Sequence, residues 1–153
     1  MTTVQITASA DETEALARTI GQHVRGGECF ELTSDLGGGK TTFTRGLVAG
    51  MGSDDVVASP TFTISKQYDA GEKTVYHYDF YRLQEPGLVA EELAESVDDP
   101  QAVSVIEWAQ TVGHVLPAQR MRVQINKQAA SDTAREIVFD VPDEQAYLLE
   151  GIA

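Results

Sequence analysis

The segment Ser34-Asp35-Leu36-Gly37-Gly38-Gly39-Lys40-Thr41-Thr42 brings three glycines, a lysine and two adjacent threonines together. Such glycines let successive backbone N–H groups turn toward one anion. A following helix adds its positive N-terminal end, the lysine adds a point charge, and the first threonine offers a hydroxyl to a hard divalent cation. The pattern is that of a phosphate-binding, Walker A loop. Asp35, Leu36, Gly37, Gly38, Gly39, Lys40, Thr41 and Thr42 are its candidate binding residues, with Lys40 on the β- and γ-phosphates and Thr41 on Mg²⁺. The full motif, G-x-x-x-x-G-K-[ST], has its first glycine where this chain has Ser34. Serine tolerates positive φ less well than glycine, so a looser loop is expected.

A phosphate loop needs an acid from a neighbouring strand to complete the metal shell. Two candidates stand out. Asp79 lies on the alternating stretch Val75 to Tyr81, where period-two geometry puts Tyr76, Tyr78 and Phe80 on one face and His77 and Asp79 on the other. Glu107 ends the apolar run Val103-Ser104-Val105-Ile106, an arrangement closer to a Walker B acid. Glu107 is read as a metal or water-orienting residue and Asp79 as its partner; with Lys40 they form the candidate catalytic set. Other roles are open for both acids: Asp79 as a solvated residue paired with Arg82, Glu107 as the cap of a following helix. Thr61 and Thr63, after Pro60, fit a switch that senses a γ-phosphate, and equally fit ordinary strand threonines. His77 and His114 lack the spacing of a zinc site. Trp108 could stack near a nucleotide or a partner, or pack in the core. Asn126-Lys127-Gln128-Ala129 begins like the guanine-reading N-K-x-D signature, but its acid is replaced by Ala129.

The elements that must hold these residues are legible in outline. Val4 to Thr7 reads as a strand, and Ser9 with Glu12 as a capping box for a helix reaching about Val24, with Leu16, Ile20 and Val24 as its apolar stripe. Glu28 to Thr33 is a strand leading into the loop, and a helix from Thr42 to Met51 buries Phe43, Leu47 and Val48. Ser59 to Ile64 opens an alternating strand, Asp69 to Glu72 is a turn, and Thr74 to Tyr81 completes a hairpin. Pro86 to Ser96 reads as a helix, Ala102 to Ile106 as a buried strand, and Met121 to Ile125 and Glu136 to Val141 as two more. This predicts an α/β, three-layer fold like that of P-loop NTPases, with a mixed central sheet and a hairpin-rich second half, in a single domain over residues 1–153.

Composition narrows the class of partner. The chain has 24 acidic against 11 basic residues, a formal charge of -13, so direct non-specific binding to nucleic acid is not expected. No apolar run is long enough for a membrane span, and Met1 to Ala8 does not read as a signal peptide. The single cysteine, Cys29, cannot form an internal disulfide and is expected to pack as a small apolar residue in a strand. A reducing, cytoplasmic setting is expected.

In order and spacing, four blocks of this sequence resemble the TsaE family, small bacterial ATPases of tRNA threonylcarbamoyladenosine biosynthesis. They are Asp35 to Phe43 continued by Arg45-Gly46, Ser59-Pro60-Thr61-Phe62-Thr63, His77 to Leu83, and Val105-Ile106-Glu107-Trp108. The resemblance implies a P-loop fold with ATP and Mg²⁺, Thr41 and Glu107 as magnesium residues, Leu36 to Thr41 as phosphate binders, and the start of the first helix near Asp11 on the adenine side. It also implies action with counterparts of TsaB and TsaD. TsaD installs the threonylcarbamoyl group on the adenosine beside the anticodon, the partners hold the tRNA, and the ATPase supports repeated turnover. Weak turnover by the isolated chain is expected, since the sequence places no obvious arginine finger. A P-loop small-molecule kinase and a non-hydrolytic ATP-dependent adaptor are the alternatives. The first would need an acceptor pocket and usually a basic lid, and no arginine-rich lid segment is evident.

Overall fold

A computed structural model of the chain describes residues 1–34, 37–60, 65–81 and 87–152. Its centre is a seven-stranded mixed sheet in the order β1-β7-β6-β2-β5-β4-β3. The strands are β1 (Thr2–Thr7), β2 (Cys29–Thr33), β3 (Ser65–Ala70), β4 (Lys73–Asp79), β5 (Ala102–Glu107), β6 (Met121–Lys127) and β7 (Arg135–Asp140). The helices are α1 (Ala10–Gly21), α2 (Lys40–Gly50) and α3 (Gly87–Asp98). The four strands β6, β2, β5 and β4 run parallel, while β1, β7 and β3 pair antiparallel at the margins. All the site-bearing strands therefore end on one side of the sheet, where ligands of open α/β sheets bind.

Alternation along the parallel strands separates two cores. Phe30 and Leu32, Val103 and Val105, and Val75 face α1 and α2, packing against Ala17, Ile20, Phe43 and Leu47. Cys29, Ile106 and Tyr78 face the other way, against Leu93 of α3 and Val112 and Leu116 after β5. β5 is buried along its whole length, as its apolar run requires.

Several boundaries differ from those read in the sequence. The capping of α1 is as expected at Ser9, whose side chain accepts from the Glu12 N–H at 3.2 Å, but the Glu12 carboxylate reaches back to the Ala8 N–H instead of that of Ser9. The helix stops at Gly21 rather than near Val24, and the buried face is Thr13, Ala17, Ile20 and Gly21, with Leu16 and Val24 only partly covered. The reason is the close approach of α2: a Cβ placed on Gly46 would lie 2.2 Å from the Glu14 carbonyl oxygen. Small residues, not large apolar ones, make this contact. The hairpin is described from Ser65 onward. Ser59 and Pro60 are not in a strand, β3 occupies Ser65–Ala70, and the turn is Gly71-Glu72. Thr61 to Ile64 lie outside the described residues.

Candidate active site

β2 ends at Thr33 and the chain passes through the glycine segment into α2, which begins at Lys40. Gly39 is the residue before the helix, at φ 116°, a conformation that a side chain would strain. Ser34 is not among the non-glycine residues with positive φ, so serine there carries no such strain. Its role is polar: both the carbonyl and the hydroxyl of Ser34 accept from Lys40 Nζ at 3.2 Å. Lys40 is buried apart from 7% of its surface, and its Nζ lies 4.8 Å from the centre of the Trp108 ring. The ammonium is thus held over the loop by three groups. Asp35 and Leu36 lie outside the described residues.

Strand register brings the acids together. Asp79 and Glu107 are Cα partners at the ends of β4 and β5, and Glu107 is also the partner of Leu32 on β2. In-register neighbours share a face, so both carboxylates stand on the α2 side of the sheet. Gly37 to Thr42, Ser59, Asp79, Glu107 and Trp108 line one cavity of about 250 Å³. Lys40, Thr41, Thr42, Asp79 and Glu107 are thus brought to one place.

The environments of the two acids differ. Glu107 is buried, and one of its oxygens, Oε2, is 2.5 Å from His77 Nε2. It does not cap the helical turn that follows, because Trp108 occupies the capping position without a side-chain hydrogen bond. His77 is fully buried, and its other nitrogen, Nδ1, is 3.3 Å from the Tyr68 hydroxyl, which donates to the Ala58 carbonyl at 3.0 Å. Burial holds the Tyr68 phenol above its ordinary pKa despite that hydrogen bond, so it remains a donor. Asp79 is half-buried and its Oδ1 accepts from the Tyr81 N–H at 2.9 Å. Burial pushes its carboxyl above the usual range; Glu107 adds to the rise, while the Tyr81 N–H, His77 and Lys40 oppose it. Two carboxylates side by side at a phosphate loop are relieved by a cation. Together with the Thr41 hydroxyl on the same cavity they form an all-oxygen donor set of the kind that suits Mg²⁺, which takes one or two carboxylates and completes its shell with water and phosphate oxygens.

The backbone conformation of Trp108 and the position of Arg135 were not foreseen in the sequence. Trp108 has φ 57° and ψ 56°, and is the one non-glycine residue with positive φ among the described residues. The left-handed conformation costs about 1–2 kcal/mol. It turns the indole toward Lys40 and against Tyr81, with ring centres 4.8 Å apart. The other feature is Arg135, at the start of β7. Its Nε donates to the Gly38 carbonyl at 2.9 Å, and its Nη1 donates to the carbonyls of Asp132 and Ala134. Only the fold brings it 97 positions back to the glycine loop. With Ala10, Thr13, Gly37, Gly39, Thr42, Asp132 and Thr133 it lines a second cavity of about 140 Å³. Asp11 lies in the first turn of α1, beside two of these residues but not itself on the cavity wall.

Comparison with known proteins gives the family. The family model described as threonylcarbamoyl adenosine biosynthesis protein TsaE matches residues 7–137. The chain belongs to the TsaE family. It is 38% identical over 134 residues to a tRNA threonylcarbamoyladenosine biosynthesis protein TsaE from Bacillus subtilis, covering 87% of this chain and 82% of that one. A Streptomyces coelicolor TsaE is 36% identical over 124 residues, 80% of this chain and 83% of the relative. Among solved structures, Bacillus subtilis YdiB superposes with a TM-score of 0.79 at 32% identity, covering 98% of this chain and 93% of that one. As a TsaE protein the chain takes part in threonylcarbamoyladenosine modification of tRNA, and its family is one of P-loop ATPases. No helix of the described residues is long and apolar enough to cross a membrane.

Proposed function

We propose that this TsaE protein is the Mg²⁺-dependent, ATP-hydrolysing subunit that lets counterparts of TsaB and TsaD modify tRNA repeatedly. The observation that carries the reading is the register pair Asp79–Glu107, set on the same cavity as Lys40 and Thr41. The glycine-loop amides and Lys40 bind the phosphates, and Lys40 exchanges its contacts with Ser34 for β- and γ-phosphate oxygens. Thr41 and Glu107 hold Mg²⁺, and Asp79 orients the surrounding water. Bound Mg²⁺ neutralises phosphate charge as the γ-phosphoryl group is transferred. Thr61 and Thr63 report the γ-phosphate to the partners. Asp11 belongs to the adenine side, next to the smaller cavity. Residues 1–153 act as one ATPase domain.

Turnover by the isolated chain is weak in this reading. Arg135, although beside the loop, has its guanidinium engaged with three backbone carbonyls, so it is not placed as an arginine finger. The surface charge of -13 fits a subunit that leaves the tRNA to its partners.

The test is to mix the chain with its TsaB and TsaD counterparts and tRNA, then count modified tRNA per complex. Many modifications per complex are expected only with this chain and hydrolysable ATP. A count that does not depend on the chain would refute the proposal. Glu107→Ala separates ATPase from adaptor: a variant that binds ATP without hydrolysing it supports single turnover only if hydrolysis resets the complex, and supports full turnover if binding alone suffices.

A further inference from the structure

A buried polar chain runs from the metal-side acid to the backbone just before Ser59. Glu107 Oε2 meets His77 Nε2 at 2.5 Å, His77 Nδ1 meets the Tyr68 hydroxyl at 3.3 Å, and that hydroxyl reaches the Ala58 carbonyl at 3.0 Å. His77 is fully buried, and Tyr68 and Glu107 are each 3% exposed. Neither Tyr68 nor His77 lines the nucleotide cavity, whereas Glu107 and Ser59 both do. The chain therefore joins two walls of the cavity through its back.

Its members come from different elements. Tyr68 is on β3 and His77 on β4, cross-strand diagonal neighbours whose rings lie 6.0 Å apart. Glu107 is at the end of β5. Register alone brings His77 one pleat behind Asp79 and diagonal to Glu107. The stretch before Ser59 is tied to β3 a second time, where Asp55 Oδ2 accepts from the Asp69 N–H at 2.7 Å. His77 Nε2–H donates to the Glu107 carboxylate, and the Tyr68 hydroxyl, whose one proton goes to the Ala58 carbonyl, stands 3.3 Å from Nδ1 on the far side of the ring. Engaging Oε2 leaves Oε1 for the cavity.

We propose that His77 and Tyr68 are positioning residues that fix the Glu107 carboxylate for Mg²⁺ and lock its position to that of the segment entering Ser59-Pro60. The proposal rests on the reading of Glu107 as a magnesium residue. Partners that orient a ligating group affect metal affinity without touching the metal.

Tyr68→Phe is the informative variant, because it removes one hydroxyl and keeps the buried ring. Calorimetric binding of a non-hydrolysable ATP analogue, with excess Mg²⁺ and with EDTA, gives a readout independent of turnover. The expected result is unchanged affinity in EDTA and about tenfold weaker affinity with Mg²⁺. His77→Gln, which keeps a donor toward Glu107, should lose less than His77→Ala. In a Glu107→Gln background Tyr68→Phe should have no further effect, since it acts through that carboxylate. Equal affinities for Tyr68→Phe and wild type under both conditions, or an equal loss under both, would overturn the proposal. If Glu107→Gln itself showed no Mg²⁺-specific loss, the magnesium reading of Glu107 would fall and the proposal with it. A Mg²⁺-specific loss in Glu107→Gln with none in Tyr68→Phe would sink the relay alone.

Discussion

At the scale of single residues, the proposed site is prepared for a polyanion before one arrives. Lys40 is held by two oxygens of Ser34 and the face of Trp108, interactions weaker than those a triphosphate offers to an ammonium. Lys40→Ala should abolish detectable ATP binding in calorimetry while leaving the circular dichroism spectrum unchanged; near-native affinity would remove the lysine from the mechanism. Trp108 is the only tryptophan in the chain, so its fluorescence reports this contact directly. ATP should shift the emission of the wild type, and Lys40→Ala should shift it without nucleotide. Away from the site, burial pushes the Cys29 thiol up to about 12 from an ordinary value of 9.0, with Glu31 adding to the rise and Arg120 opposing it. In the unfolded chain the thiol ionises first, so the unfolded state holds fewer protons above pH 9 and stability falls as pH rises from there toward 12. Cys29→Ala should remove that contribution, with the wild type losing up to about 1.4 kcal/mol per pH unit relative to the variant in urea titrations. Parallel stability profiles for the two proteins would show that the thiol ionises equally in both states.

Between elements, the contacts that matter most are those the sequence conceals. The loop, the β5 acid and the alternation of β4 were all legible, because each depends on local residue order: glycines before Lys40, an apolar run before Glu107, period two around His77. The buried face of α1 was not, since its tightest contact uses the absence of a side chain at Gly46 against the Glu14 carbonyl, and hydrophobic periodicity does not register a missing Cβ. Gly46→Ala should therefore cost about 2–3 kcal/mol through forced separation of α1 and α2, lowering the Tm by about 5–10 °C. Arg135 escaped the sequence for a different reason. Its partner, the Gly38 carbonyl, is distant in the chain, and β1-β7-β6 pairing alone delivers it to the loop. The register of Asp79 with Glu107 was likewise invisible until β4 and β5 were seen to pair. Arg135→Ala frees the Gly38 carbonyl and removes one wall of the smaller cavity, so ATP affinity should fall about tenfold with little change in the Tm of the nucleotide-free protein. A drop in Tm without a change in affinity would instead make Arg135 a scaffold residue.

For the whole molecule, charge and site pull in opposite directions. In the proposed reading the loop amides and Lys40 attract phosphate at short range, while a net charge of -13 repels a polyanion at distances where those groups no longer act. A nucleotide with bound magnesium carries far less negative charge than a tRNA, which is charged at every phosphate, and meets a much weaker repulsion. The chain alone should thus show no shift of tRNA in gel mobility or anisotropy. The informative experiment is the salt dependence of its recruitment to an assembly of TsaB and TsaD counterparts already holding tRNA. A subunit that neutralised 6–10 phosphates itself would lose about 10³–10⁵ in affinity between roughly 50 and 200 mM salt. Recruitment of this chain through protein contacts should show no such loss, and screening of its repulsion from the tRNA should offset part of whatever the protein interface loses. A steep fall in affinity that disappeared when tRNA was left out would place this acidic protein directly on the nucleic acid, and its charge would then have to be read as confined to the faces turned away.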